Sequence, residues 1–191
     1  MPFRARPRNA WSPSTGSWIT SSLLAATVLL AGCSSGPATD GPLSDKGTPG
    51  EECTPAPRGG VLSYGFEAMT NTGQADVIVK DVRLADPRGL RIVAAYFVPI
   101  TGTHLYGVRS GFPPAAHLDP GVLWPQRQRA TGAHLPHTSA GHFINLLVVI
   151  RPADSGGTAT GMVVDYTASG QQYRLTTPTA LQVVVNSQCP Q

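Results

Sequence analysis

The run Phe143-Ile144-Asn145-Leu146-Leu147-Val148-Val149-Ile150 decides the fold of this chain. It is short, nearly continuous in apolar residues, and flanked by Gly141 and Pro152. A run of this length is compatible with a buried helix on periodicity alone. Its β-branched content and its Gly and Pro flanks favour a strand instead. We therefore predict a central strand from His142 to Arg151.

Outward from this run, shorter segments alternate apolar and polar residues and are separated by turn signals such as Asn71-Thr72-Gly73 and Ser169-Gly170. Alternation with a period of two is typical of a strand with one buried face, and Asn and Gly accept the backbone conformations of tight turns. With no βαβ rhythm, about seven strands predict an all-β fold, a single antiparallel sandwich. The six further strands fall within residues 61–69, 77–84, 90–98, 158–167, 173–175 and 181–185.

Two hairpins resemble those of known families. The segment from Phe66 to Leu84 resembles the first hairpin of immunoglobulin-like domains in exported bacterial proteins. The segment Val164 to Tyr173 resembles the last hairpin of small actinobacterial lipoproteins of unknown role. The resemblance implies an immunoglobulin-like β-sandwich, although the Cys-Trp-Cys core of antibody domains is absent.

The N-terminus has the layout of an export signal. Arg4, Arg6 and Arg8 precede a short apolar stretch that is too short to span a bilayer comfortably. The stretch ends in Leu30-Ala31-Gly32-Cys33, which resembles the lipobox of bacterial lipoproteins. That resemblance implies a signal peptide over 1–32, diacylglycerol on the Cys33 thiol, and anchoring to the outer face of the cytoplasmic membrane. The alternative is an ordinary secretory signal with a chance Cys.

The mature chain is predicted to begin with a flexible tether over 33–56, because that stretch is rich in Gly, Pro, Ser and acidic residues. The sandwich domain is then expected over 57–191. Cys53 and Cys189 are left once Cys33 carries lipid, and export favours a disulfide between them. Two unpaired thiols or an intermolecular bridge are the alternatives.

An irregular segment over 99–141 interrupts the strand pattern with six Pro and six Gly. A structureless loop of this length is either functional or conceals further elements. Its His residues suggest a metal site, which imidazole nitrogens suit, against the alternative of surface loop residues. The weak metal candidates are His134, His137 and His142, and the candidate contact residues are Tyr106, Phe112, Trp124, Arg127 and Arg129.

No nucleophile elbow, metalloprotease motif or phosphate-binding loop occurs in the sequence, so we expect no enzyme and no cofactor beyond the covalent lipid. The formal charge of +3 comes from the signal, because removal of its three Arg leaves 11 basic residues against 11 acidic ones. A neutral domain gives no electrostatic reason to bind nucleic acid.

We expect a lipid-anchored, non-enzymatic binding or structural module whose partner is a protein or an envelope component. The second hypothesis is a metal- or small-ligand-binding accessory protein that uses the His-rich segment. The third is a hydrolase with an unrecognised site.

Overall fold

A computed structural model describes residues 36–102, 104–113, 119–139 and 142–190. In these ranges the chain is almost entirely β, and its helical element is a single 3₁₀ turn at Trp124–Gln126. None of the described helices is long and apolar enough to cross a membrane. The described ranges contain thirteen strands: β1 Leu43–Asp45, β2 Gly50–Ala56, β3 Leu62–Asn71, β4 Val77–Ala85, β5 Leu90–Thr101, β6 Gly107–Ser110, β7 Gln128–Arg129, β8 His134–Leu135, β9 His142–Pro152, β10 Gly157–Ala159, β11 Gly161–Ala168, β12 Gln171–Thr176 and β13 Thr179–Val185.

Two antiparallel sheets form the sandwich, which confirms the predicted fold class. The first sheet has the order β1-β3-β9-β5-β7, with β6 also pairing with β3, and the second has the order β12-β11-β4-β8. Seven of these strands, β1, β3, β4, β5, β9, β11 and β12, can be lettered A to G in chain order. The spatial orders β1-β3-β9-β5 and β12-β11-β4 then read ABED and GFC, which are the strand orders of the immunoglobulin sandwich. A third, small sheet joins β10, β13 and β2, and in it β13 and β2 run parallel.

The strand β9 is central to the first sheet, between β3 and β5. Leu146, Val148 and Ile150 face the core between the two sheets. Leu147 and Val149 face the opposite way, into a second apolar cluster on the outer side of the sheet. The apolar run at 143–150 is therefore continuous because both faces of β9 are covered, which is unusual for an antiparallel sheet.

The outer cover of this sheet is built from the segment predicted as irregular. The described parts of residues 99–139 contain β6, β7, β8 and the 3₁₀ turn. Tyr106 and Val122 are buried against Leu147 and Val149, and Trp124 packs beside them. The hypothesis that this segment conceals further elements is thus confirmed.

The number of strands was underestimated. The seven predicted strands correspond to β3, β4, β5, β9, β11, β12 and β13, and the one predicted at 158–167 also includes most of β10. The six others have between two and seven residues and are rich in Gly, Pro and polar side chains. Such strands are stabilised by backbone pairing with longer neighbours and leave little apolar pattern of their own.

The predicted tether over 33–56 is wrong for its described part, and the domain begins well before residue 57. Ala38 forms a β-bridge with Tyr173, Leu43 is only 3% exposed, and β1 pairs with β3. Edge pairing satisfies the backbone of these residues even though their composition is that of a linker. Cys33 and the predicted signal peptide lie outside the described residues.

The sulfur atoms of Cys53 and Cys189 are 2.09 Å apart and form the disulfide expected from the sequence. The bridge ties β2 to the segment that follows β13, so it connects the two ends of the described domain.

Candidate functional site: a histidine-lined groove

A groove of about 310 Å³ lies where the end of β5 and the start of β9 meet β8 and the loop that follows it. Its lining combines apolar side chains with histidines and uncharged polar side chains, and it contains no Asp, Glu, Lys or Arg. The apolar members include Phe97, Ile100, Leu123, Leu135, Phe143 and Ile144, and the polar ones are Gln126, Gln128, His134, His137, Thr138, Ser139 and His142.

The strand β8 positions one side of the groove. It pairs with β4 through Val77 and Leu135, and through Ile78 and His134. Leu135 is buried in the core, so the alternation of a strand leaves its neighbour His134 exposed. One buried anchor residue therefore fixes the direction of a polar rim residue.

Asn71, at the end of β3, holds the loop after β8 in place. Its side-chain amide donates to the carbonyl oxygens of Ala75 and Leu135, each at 2.9 Å, and its Oδ1 accepts from Gly73 N at 2.9 Å. Its backbone exchanges two hydrogen bonds with Thr138, whose N–H donates to Asn71 O and whose Oγ1 accepts from Asn71 N. The sequence marked Asn71 only as a turn residue, because this long-range role leaves no local signal.

The three candidate metal ligands share the groove lining but do not form a ligand set. Nδ1 of His137 bonds to the carbonyl oxygen of Gly73 at 3.0 Å, so this nitrogen carries the proton and Nε2 is the free nitrogen of the ring. Nδ1 of His134 is 4.0 Å from Oδ2 of Asp76, and His142 pairs with Thr101 at the start of β9. In the described part of the chain no three His, Cys, Asp or Glu side chains come close enough to hold a metal ion. The hypothesis of a three-histidine metal site therefore has no geometric basis here.

The aromatic candidates for contact with a partner mostly hold the outer layer to the sheet. Tyr106 is only 2% exposed, which corrects its assignment as a contact residue. Phe112 stacks on Tyr96 with ring centroids 5.4 Å apart, and Trp124 lies 6.0 Å from Tyr96. Of the five predicted contact residues, Arg127 and Arg129 are exposed, and Phe112 and Trp124 are partly exposed.

Those two arginines lie beside the 3₁₀ turn. The guanidinium of Arg127 lies 4.5 Å from the centroid of the Trp124 ring, within cation–π range. Arg129, in β7, is exposed and pairs with Tyr96 of β5.

Another part of the outer layer holds a close contact between a histidine and an aspartate. Nδ1 of His104 lies 2.8 Å from Oδ1 of Asp119. The backbone N–H of Gly121 and the His104 side chain together lower the pKa of the Asp119 carboxyl. This pair keeps His104 at the surface outside the groove lining.

Ser139, the nearest serine to the groove histidines in sequence, forms no catalytic arrangement with them. Its contact with His142 is a backbone hydrogen bond of 3.1 Å, from His142 N to Ser139 O. Asp76 lies 4.0 Å from Nδ1 of the groove residue His134, but no hydrogen bond of the described residues joins the Ser139 hydroxyl to a histidine ring, so a Ser–His–acid triad is not assembled there.

Neither a protein-family model nor a curated protein sequence matches this chain. The fold and the groove together define it as an immunoglobulin-like β-sandwich with a second layer on one sheet. An uncharged groove lies at the border of that layer.

Proposed function

We propose that this protein is a lipid-anchored, extracytoplasmic binding module, and that the histidine-lined groove is its binding site. The lipobox-like Leu30-Ala31-Gly32-Cys33 supports anchoring at the outer face of the cytoplasmic membrane through diacylglycerol on Cys33. The disulfide between Cys53 and Cys189 suits an oxidising compartment.

The groove is the observation that carries the binding role. Its volume of about 310 Å³ is at the lower end of the range for small-molecule sites, which begins at roughly 300 Å³. An apolar floor with a few polar groups at the rim is the usual make-up of such a site. The ligand would be a compact, uncharged, partly apolar group, either a free small molecule or a group carried by an envelope component.

The rim supplies hydrogen bonds of both kinds. Nε2 of His137 is an acceptor in the neutral ring, the Thr138 and Ser139 hydroxyls both donate and accept, and Gln126 adds an amide. A charged ligand would lose its hydration here without gaining an opposite charge, which is unfavourable. Uncharged ligands are therefore preferred over ionic ones.

The test of this role is a fragment screen by NMR on the exported protein, purified in detergent. Uncharged aromatic and aliphatic fragments should shift the side-chain resonances of His137 and His142, and matched carboxylate or ammonium fragments should not. Ser139→Trp should fill the groove and abolish these shifts, whereas Ser110→Trp, at an exposed position outside the lining, should leave them unchanged.

Two results would contradict the binding role. One is the absence of shifts at both histidines with every neutral fragment. The other is fragment binding that persists in Ser139→Trp. Photo-crosslinking from position 139 in growing cells then distinguishes the sources of the ligand by the mass of the adduct, because an envelope component adds the mass of a macromolecule and a free small molecule adds only its own small mass.

The anchor is tested separately. Cys33→Ala should release the protein from membrane fractions, since the thiol that carries the lipid is gone. Unchanged fractionation of that variant would rule out the lipid anchor without bearing on the groove.

A further inference from the structure

Two carboxyl groups of the domain are buried next to each other. Asp45 ends β1, and Glu67 lies in the neighbouring strand β3, where the pairing places Asp45 opposite Met69. Glu67 is fully buried, with 0% of its surface exposed. A buried carboxylate is costly unless it is paired, protonated or bound to a metal ion.

A β-bulge directs Glu67 into the core. Tyr64 pairs with Val148 of β9 and Glu67 pairs with Leu146, so three steps along β3 correspond to two steps along β9. Val148 and Leu146 both face the core between the sheets, and paired residues share a face. Without the bulge, Glu67 would point to the side opposite Tyr64, because side chains alternate along a regular strand.

The backbone at Gly47 brings the carboxyl groups to a common point. The N–H of Gly47 donates to Oδ1 of Asp45 at 3.0 Å. A Cβ atom on Gly47 would lie 3.2 Å from Oδ2 of Asp45 and 3.4 Å from Oε2 of Glu67. The oxygens of both carboxyl groups therefore converge beside this glycine.

A third oxygen, independent of the two acids, is directed to the same place. Tyr64 is fully buried, and its hydroxyl lies beside the Glu67 carboxyl group. Burial, together with the negative charges of Glu67, Glu52 and Asp45, raises the pKa of the Tyr64 hydroxyl. In the described chain, Oδ2 of Asp45, both Glu67 oxygens and the Tyr64 hydroxyl are buried and form no hydrogen bond of full geometry. The Thr177 and Thr179 hydroxyls are the protein groups that lie close to Glu67.

Positive charge is missing from this cluster. The ion pairs of the described residues involve neither Asp45 nor Glu67. Burial and the adjacent Asp45 raise the pKa of Glu67 to about 8, although the Thr179 and Thr177 hydroxyls act in the opposite direction. The described residues therefore offer these two buried carboxyl groups no cationic partner.

We propose that the cluster of Asp45, Glu67 and Tyr64 is a binding site for a divalent cation of the calcium class. All the candidate ligands are oxygens, which Ca²⁺ prefers and which suit Zn²⁺ less well than nitrogen or sulfur. Ca²⁺ accepts oxygen ligands in a flexible geometry, whereas Mg²⁺ demands a near-ideal octahedron. The site involves none of the groove residues, so it stands or falls independently of the proposed function.

The test uses the exported protein, purified in detergent and freed of metal with a chelator, at pH 7.5. Extracellular calcium modules bind with dissociation constants of about 10⁻⁴ to 10⁻³ M. At that affinity, 10 mM Ca²⁺ should raise Tm by about 3–10 °C, because the ion binds only the folded state. Tb³⁺ should bind the same oxygens and show luminescence sensitised by the adjacent Tyr64, and Ca²⁺ should displace it.

The matched variants are Glu67→Gln, which keeps the shape and removes the charge, and Glu51→Gln, which changes an exposed glutamate of β2. Glu67→Gln should lose the Tm response and most of the Tb³⁺ signal, and Glu51→Gln should retain both. Asp45→Asn provides the same test if Glu67→Gln does not fold. An unchanged Tm of the unmutated protein in 10 mM Ca²⁺, or a calcium response that survives both charge-removing variants, would overturn the site.

Discussion

Leu147→Ala should destabilise the domain as strongly as a substitution in the core between the sheets. Leu147 is 0% exposed, yet it lies on the outer face of its sheet, among Tyr106, Val122 and Val149. Truncation of a buried leucine removes its transfer free energy and leaves a cavity, at a cost of about 2–5 kcal/mol. If the outer layer packs as described, Leu147→Ala should fall within that range, close to the value for Leu146→Ala on the opposite face.

Equilibrium unfolding in urea measures this directly, with the m-value monitored to show that the transition is unchanged. The matched control is Val93→Ala, because Val93 in β5 is 40% exposed and its truncation should cost well under about 1 kcal/mol. A cost for Leu147→Ala that matches the Val93 control would show that residues 99–139 do not cover the sheet. The position and volume of the groove would then need to be revised as well.

Two further predictions concern single buried polar residues. In metal-free buffer, the free energy of unfolding should decrease as pH rises from about 4.5 to about 8, because folded Glu67 keeps its proton while the unfolded side chain ionises. The decrease should reach up to about 1.4 kcal/mol per pH unit. Glu67→Gln should flatten this slope in pH-dependent urea titrations, and an unchanged slope would exclude Glu67 as its source. Asn71→Ala should cost about 2–3 kcal/mol and speed amide hydrogen exchange at 135–138, since it leaves the carbonyls of Ala75 and Leu135 without donors. Exchange at the unmutated rate would show that the loop is held by other contacts.

The long strands could be predicted from the sequence because each has its own apolar pattern. The strand β9 was clear from a single run, and β3, β4 and β5 from alternation between turn signals. The short strands β1 and β2 could not be predicted in this way, because each pairs through its backbone with a strand far away in sequence. Composition alone predicts such a segment as a linker, and only the partner strands show that it is folded.

The candidate site was predictable only in part, for a similar reason. The histidines of 134–142 were identified as a cluster from sequence, and they do share one groove. Their convergence on a metal was not supported, because the bond from His137 to the Gly73 carbonyl and the pairing of β8 with β4 fix the rings separately. The buried pair of Asp45 and Glu67 gave no signal at all, since a one-residue bulge decides which face Glu67 occupies.

The two candidate sites lie at opposite edges of the first sheet and arise from different features of it. A sandwich of this type normally exposes the outer face of each sheet, and here an insertion between β5 and β9 covers one of them. The outer layer ends near His142. The groove is the space left between the outer layer, β8 and the edge of the first sheet. On the opposite edge of the sheet, β1 and β6 both pair with β3 but leave residues 66–68, at the bulge, unpaired between them. At that interruption Glu67 turns inward, so the buried carboxyl pair lies where the pairing of the first sheet is broken, whereas the groove lies at an end of the sheet where β5 and β9 are still fully paired.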